Sequence, residues 1–145
     1  MDEIDEKILK NLLVDARLSA RQLSLRLGMS TVTILSRIKK LEKEKIIKGY
    51  ATILNHEKLG YDLTAIIEII AKKDKIIEVE KELSAMENVC AVYDVTGNTD
   101  TLLIAKFKGR EDLSVFVKNL SSIPNVENTI THLVLNTVKE DFRLT

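Results

Sequence analysis

The sequence has little of several residue types on which whole classes of protein depend. Its 145 residues include one cysteine, one proline and no tryptophan, and aromatic residues make up only 4%. A single cysteine, Cys90, excludes an internal disulfide and favours a reducing compartment; its apolar surroundings predict a packed thiol. The chain has no run of eighteen apolar residues, and its acidic start, MDEIDEK, does not resemble a signal peptide. We therefore expect a cytoplasmic protein without a membrane partner.

Residues that could support catalysis or hold a cofactor are also sparse. His56 and His132 lie far apart in the sequence, and neither has metal-ligand spacing to Cys90. The five glycines are scattered and form no phosphate-binding loop. The sequence therefore predicts no enzyme, no cofactor and no metal site.

Charge is unevenly distributed along the chain, although the formal net charge is zero. Residues 1–60 carry 12 Lys or Arg and 8 Asp or Glu, a balance of +4. Residues 61–145 carry 10 and 14, a balance of −4. Such a split indicates one half that faces nucleic acid and one that does not.

The positive half has strong helix signals. Residues 2–15 predict a first helix, with Asp2 as its N-cap and apolar residues at helical spacing. A second helix begins at Ser19, which forms a capping box with Gln22. Gly28 ends this helix, because glycine adopts the left-handed C-cap without strain. Two helices around a glycine-containing turn predict a helix-turn-helix.

Ser30 is the predicted N-cap of a third helix, in which Ile34, Ile38 and Leu41 form the buried stripe. The rest of the helix presents small or polar residues near its start and cations farther along, as a DNA recognition helix requires. This pattern predicts DNA contacts from Ser30, Thr31, Val32, Leu35, Ser36, Arg37, Lys39 and Lys40. The alternative is an ordinary amphipathic helix with a basic solvent face, since the motif is not unique to DNA-binding proteins.

Residues 46–54, IIKGYATIL, predict a two-stranded ribbon that bends at Gly49, with Lys48 reaching a phosphate. A helix-turn-helix with such a ribbon is a winged variant. We therefore assign residues 1–54 to a winged helix-turn-helix domain and residues 55–62 to a hinge.

Beyond the hinge the periodicity changes. Strands are predicted at 63–70, 89–96, 101–108 and 126–138, and helices at 75–86 and 111–123. The order βαββαβ predicts a ferredoxin-like domain over residues 63–145, so the fold class is α+β. The sheet face that the two helices leave open is apolar, which favours a face-to-face dimer. The last seven residues, KEDFRLT, match no element.

The whole chain resembles the Lrp/AsnC, or feast/famine, family of transcriptional regulators. The resemblance lies in DEIDEKILKNLLVDARLSARQLSLRLGMS, RIKKLEKEKIIKGYATIL, YDVTGNTDTLLI and SIPNVENTITHLVL, and covers residues 1–140. It implies a winged helix-turn-helix joined to a ferredoxin-like effector and oligomerisation domain. It also implies dimers that assemble into octamers, double-stranded DNA as a partner, and a small effector, mostly an amino acid, bound between dimers.

In this family the effector site gathers around the turn between the second and third strands, here residues 96–100, which we call the effector turn. Its residues Gly97, Asn98, Thr99 and Asp100 suit a zwitterion, since backbone amides can bind a carboxylate and Asp100 can accept from an ammonium group. Thr129 and Thr131 on the last strand are further candidates. Many family members carry an aromatic residue where this chain has Thr99. Alternatively, residues 97–100 form a plain hairpin turn.

Two other functions are compatible with this architecture. A nucleoid-associated protein with little sequence preference would contact mostly phosphates. The outward face of the third helix has no Asn or Gln, which keeps that alternative open. Some haem-biosynthesis decarboxylases resemble this family in fold, but they would be expected to carry a site rich in His and Arg, and the second domain has only Arg110 and Arg143.

Overall fold

The structure is a computed structural model that describes residues 1–144. The chain divides into two units, one of Met1–Ile53 together with the C-terminal residues from Lys139, the other of Leu54–Val138. Residues 139–144 lie with the first unit, whereas the sequence analysis assigns them to the domain 63–145. Thr145, the end of that predicted domain, lies outside the described residues.

Three helices build the first unit: α1 (Glu3–Val14), α2 (Ala20–Leu27) and α3 (Thr31–Lys43). The predicted caps are confirmed: Asp2 and Ser19 form capping boxes, and Ser30 accepts from the Thr33 amide. Gly28 ends α2 with a φ of 65°, in the left-handed region. The helices enclose one apolar core of Ile8, Leu12, Leu18, Leu23, Ile34 and Leu41. The predicted helix-turn-helix is therefore present.

The predicted ribbon over residues 46–54 is wrong for the single chain, since no strand forms there. Lys45 adopts a φ of 59°, and the chain turns back sharply after α3. The Ile46 and Ile47 amides then both donate to the Leu41 carbonyl, at 3.0 and 3.1 Å, and so close the end of α3 instead of starting a strand. Residues 48–54 are exposed, and their amides bond to no backbone carbonyl within residues 1–144.

The C-terminal residues 139–144, which we call the tail, extend the first unit. Arg143 donates from Nε and Nη2 to the two carboxylate oxygens of Asp141, each at 2.8 Å, and from Nη1 to the Leu13 carbonyl at 3.2 Å. Leu13 lies in the last turn of α1, which contains no basic residue of its own. Arg143 therefore satisfies a carbonyl that the helix itself leaves unpaired.

The second unit contains four strands and two helices: β1 (Leu63–Ala71), α4 (Ile76–Ser84), β2 (Val89–Asp94), β3 (Thr101–Phe107), α5 (Arg110–Ser122) and β4 (Val126–Leu133). The sheet is antiparallel, with strand order β2-β3-β1-β4. Alternate residues of β1 and β3, including Ile67, Ile69 and Leu103, are fully buried in one cluster with Leu83 of α4 and Leu120 of α5. The predicted α+β class and βαββαβ order are confirmed.

Two details of this unit differ from the sequence predictions. β4 ends at Leu133 and not at 138, because its partner β1 begins only at Leu63 and leaves little to pair with. Cys90 is exposed, whereas the apolar run around it predicts a packed thiol. It lies where the β2–β3 register shifts, between Val89 and Ala91, on an edge strand.

The opposite side of the sheet, which we call the open face, carries the alternate residues. Ile66, Glu68 and Ile70 project there from β1, and the strand register adds Tyr93, Leu102, Ile104, Ile130 and His132. Within the second unit both helices pack on the other side. The open face is therefore an apolar surface with a polar centre at Glu68.

Candidate DNA interface and effector turn

The exposed side of α3 is formed by residues that the buried stripe leaves outside. Val32 is 76% exposed and Leu35 is 45% exposed. Ser36, Lys39 and Lys40 are also exposed, whereas Thr31 is half-buried. The Ser30 hydroxyl accepts from the Thr33 amide at 3.1 Å, so it fixes the start of the helix. The helix thus presents short side chains near its N-terminus and two lysines one turn farther on.

Arg37 does not point freely outward as the sequence pattern predicts. Its Nη1 donates to both carboxylate oxygens of Asp2, at 2.7 and 2.6 Å, and to Asp5 Oδ1 at 2.9 Å. The Arg37 bond holds the pKa of Asp2 at about 2, helped by the Asp5 amide. Burial acts to raise the pKa of Asp5, but bonds from the Asp2 amide and Arg37 outweigh it and the pKa is lowered. Arg37 therefore joins α3 to α1.

The sequence reasoning missed one exposed apolar residue of the helix-turn-helix. Leu25 of α2 is 77% exposed, outside the core of the unit. The available signal is its position, since it falls between Leu23 and Leu27, which pack inward. An exposed apolar side chain beside a recognition helix can contact thymine methyl groups or deoxyribose. Lys48, the other predicted phosphate contact, is exposed in the segment after α3.

The effector turn is held mainly through Asp100. The Asp100 amide donates to the Ile69 carbonyl at 3.1 Å, and its Oδ2 accepts from the Ala71 amide at 2.9 Å. Its Oδ1 makes no hydrogen bond to residues 1–144. Gly97 has a φ of 121°, a conformation that other residues rarely adopt, and Gly97 and Asn98 are exposed. The turn thus offers exposed backbone and one free carboxylate oxygen.

Thr99 leaves this turn toward the open face. Its Oγ1 donates to Glu68 Oε2 at 2.5 Å, and the other oxygen, Oε1, lies 2.8 Å from His132 Nε2. The hydrogen bond from Thr99, and to a smaller extent that from His132, lowers the pKa of Glu68. The Glu68 carboxylate is therefore ionised at neutral pH. An ionised carboxylate is only an acceptor, so Nε2 is the protonated ring nitrogen that donates. Sequence reasoning missed Glu68, although it is the one charge within LTAIIEII.

Thr129 and Thr131 face the opposite side of the sheet from His132. They pair with Ile69 and Ile67, whose side chains belong to the core beneath the helices. Thr129 and Thr101 both pair with Ile69, so they lie two strands apart, roughly 10 Å. The structure therefore places the two threonines at the same end of the sheet as the effector turn, but does not join them to it.

Across residues 1–144 no group of three or more His, Cys, Asp or Glu side chains could hold a metal ion. Over the same residues no helix is long and apolar enough to cross a membrane.

A capped helix-turn-helix with a basic exposed helix, followed by a ferredoxin-like domain, defines a class of two-domain DNA-binding regulators. The model of the AsnC-type helix-turn-helix domain matches residues 1–42, and that of the Lrp/AsnC ligand binding domain matches residues 64–144. The chain belongs to the Lrp/AsnC family of transcriptional regulators.

Curated relatives match along the whole chain. An HTH-type transcriptional regulator of Pyrococcus abyssi is 50% identical over 99% of this chain and 98% of its own length. HTH-type transcriptional regulator FL11 of Pyrococcus horikoshii is 38% identical, over 99% of this chain and 95% of its own. Ptr1 of Methanocaldococcus jannaschii is 32% identical, over 99% and 98%. These relatives are transcriptional regulators, which are not enzymes.

Solved structures agree with the fold. The transcriptional regulator NMB0573 from Neisseria meningitidis, in complex with L-Met, has a TM-score of 0.94 at 31% identity, covering 100% of this chain and 96% of that one. AsnC of E. coli has a TM-score of 0.90 at 26% identity and covers 99% of both chains.

Proposed function

We propose that this protein is a sequence-specific DNA-binding transcriptional regulator whose activity is modulated by a small effector, an amino acid. The observation that carries the proposal is the exposed side of α3, where Val32, Leu35 and Ser36 are followed by Lys39 and Lys40 on a helix capped at its start. We expect its partners to be double-stranded DNA, the effector and further copies of the chain. A DNA partner implies a cytoplasmic location.

In the proposed complex α3 enters the major groove by its N-terminal half. Val32 and Leu35 offer apolar contact to thymine methyl groups, and Ser30, Thr31 and Ser36 offer hydroxyls. Lys39, Lys40 and Lys48 contact phosphates, which position the protein but do not read sequence. Arg37 leaves this set, because its guanidinium is held by Asp2 and Asp5.

The open face supports a dimer. Its half-buried and exposed apolar residues, among them Ile66, Leu102, Ile104 and Ile130, would be covered by the same face of a second copy. Two copies would present two α3 helices to successive major grooves about 34 Å apart. We extend the proposal to octamers built from such dimers.

For the effector we propose a site between dimers, made from the effector turn of one dimer and the last strand of another. Amides near Gly97 would bind the carboxylate, and the free Oδ1 of Asp100 would accept from the ammonium group. Thr129 and Thr131, exposed or half-buried on an edge strand, can supply hydroxyls. The L-Met complex of NMB0573 supports an amino acid as the chemical class.

A second candidate is an architectural protein that binds DNA with little sequence preference. Its support comes from Arg37, whose engagement with Asp2 and Asp5 leaves the exposed side of α3 without an arginine, Asn or Gln to read base edges. Lysines at positions 39 and 40 then contribute mainly charge.

The decisive experiment is a DNA-binding titration at several salt concentrations. It compares the DNA upstream of the gene for this protein with unrelated DNA of equal length. A preference of about 10³-fold or more is typical of a specific regulator. Equal binding with a steep salt dependence would favour the architectural candidate. If the protein binds neither DNA, both proposed functions are contradicted.

A further inference from the structure

Glu68 connects two parts of the second unit that are far apart in sequence. One carboxylate oxygen accepts from Thr99 of the effector turn, and the other accepts from His132 of β4. The three side chains form a continuous polar chain across the open face, which is otherwise lined by Ile66, Ile70 and Ile130. Hydrogen bonds to an ionised carboxylate are shorter and stronger than neutral ones. The two bonds to Glu68 can therefore hold the effector turn and β4 in place relative to β1.

Thr99 is the residue of the effector turn that these hydrogen bonds hold. Asp100 is fixed to β1 by its own amide and carboxylate, whereas Thr96, Gly97 and Asn98 are exposed. The Thr99 hydroxyl is therefore a side-chain anchor immediately before Asp100 and next to the exposed residues. Loss of this bond would loosen the turn around Gly97, whose backbone adopts a conformation that favours glycine.

We propose that Thr99, Glu68 and His132 form a relay that fixes the effector turn. The relay makes the conformational order of the turn depend on the position of His132 in the last strand. This inference rests on the proposed function, in which each chain contributes to two effector sites, one through its turn and the other through β4. Glu68 contacts side chains from both elements. Binding at one site then changes the order of the element that serves the other, and the two sites are coupled.

The three residues act as positioning residues, and hydrogen exchange without any ligand tests them first. Thr99→Val keeps the shape of the side chain but removes its hydroxyl. We expect exchange of the Val95 and Asp100 amides, which donate to the Asp100 and Ile69 carbonyls, to rise about tenfold. Thr99→Ser restores the hydroxyl and should keep wild-type protection. Wild-type exchange in Thr99→Val, or equal loss in both variants, would overturn the relay.

His132 supplies the more demanding comparison, because it does not touch the turn. His132→Ala should raise exchange of the Val95 and Asp100 amides, whereas Asn128→Ala, an exposed change on the same strand, should not. Light scattering at the same concentrations shows whether the variants share one oligomeric state. If His132→Ala leaves the turn unchanged at wild-type assembly, the last strand does not control the turn and the proposal is wrong.

Coupling is then measured by calorimetric titration with a panel of the standard L-amino acids. We expect wild-type binding to be cooperative, and Thr99→Val to bind with a Hill coefficient of about one. Non-cooperative binding by the wild type, or unchanged cooperativity in Thr99→Val, would overturn the coupling. If no amino acid binds to the wild type, the effector part of the proposed function fails, and with it the coupling, whereas the exchange experiment still decides whether the relay orders the turn.

Discussion

Arg37 of α3 and Asp5 of α1 are joined by a hydrogen bond of 2.9 Å, and Asp5 is fully buried. The bond fixes the helix that we propose for DNA recognition against the helix that begins the chain. A buried carboxylate keeps its charge only while a cation or hydrogen-bond donors compensate it. The orientation of the exposed side of α3 therefore depends on a residue that we do not expect to touch DNA bases.

Replacing Arg37 should weaken the first unit before it weakens any DNA contact. Arg37→Ala leaves the buried Asp5 carboxylate without its cation, and we expect the thermal midpoint to fall by several degrees. Arg21→Ala, which removes an exposed arginine of α2, is the matched control and should melt like the wild type. Circular dichroism measures the thermal midpoint. An unchanged midpoint in Arg37→Ala would contradict the proposal that Arg37 stabilises the unit by compensating Asp5.

The contact between Arg37 and Asp2 predicts a pH dependence. Asp2 has a pKa of about 2 in the folded chain and 3.8 as its ordinary value. Because the folded value is the lower one, the stabilisation is fully present above about pH 4 and is lost as the pH falls through 2. Asp2→Asn should therefore lose less stability than the wild type between those pH values. Identical acid melting curves for the two proteins would show that this ion pair contributes nothing measurable.

Lys39 and Lys40 should account for part of the salt dependence of DNA binding. Each Lys→Ala change is expected to weaken binding to all DNA and to reduce the slope of log affinity against log salt by about one unit. Lys118→Ala, an exposed lysine of α5 in the other unit, serves as the control. If both α3 variants keep the wild-type slope, this helix is not at the interface.

Asp100 should be required for a response to an amino acid. Asp100→Ala removes the charge that we propose for the ammonium group, and also the acceptor of the Ala71 amide. Asp100→Asn keeps an acceptor for Ala71 and removes only the charge. We expect both variants to lose the response while the dimer remains, as measured by DNA binding with and without amino acids. A normal response in either variant would place the ligand elsewhere.

The open face should be the dimer interface. Leu102→Glu or Ile104→Glu would bury an uncompensated charge between two copies, and we expect the dimer to weaken by at least about a hundredfold. Val115→Glu changes an apolar residue that is 52% exposed on α5, on the other side of the sheet, and should leave assembly unchanged. Sedimentation at several concentrations distinguishes the variants. A dimer that tolerates both open-face charges must form through another surface.

Features set by neighbouring residues could be predicted from the sequence. The caps at Asp2, Ser19 and Ser30 and the left-handed Gly28 depend on residues at most four positions away, and all are confirmed. The βαββαβ order follows from periodicity in the same way. The ribbon was predicted wrongly because apolar β-branched residues after α3 look like a strand, whereas their amides close the helix end at Leu41.

Contacts between distant residues could not be predicted. Arg37 and Asp5 are 32 positions apart, and the pattern around Arg37 indicates only that it lies beside the buried stripe. Glu68, Thr99 and His132 meet only because the strand register aligns them. For the candidate effector site, sequence therefore identified the turn but not the side chain that anchors it.

The bond from Arg143 to the Leu13 carbonyl also affects the order in which the protein can be completed. It spans 130 positions, from the tail to the first helix. During synthesis the three N-terminal helices leave the ribosome first and can fold before the rest exists. Their contact with Arg143 must wait until the tail has also been synthesised and has cleared the exit tunnel. A regulator assembled in this way acquires its finished DNA-binding unit only after the whole second unit has been synthesised.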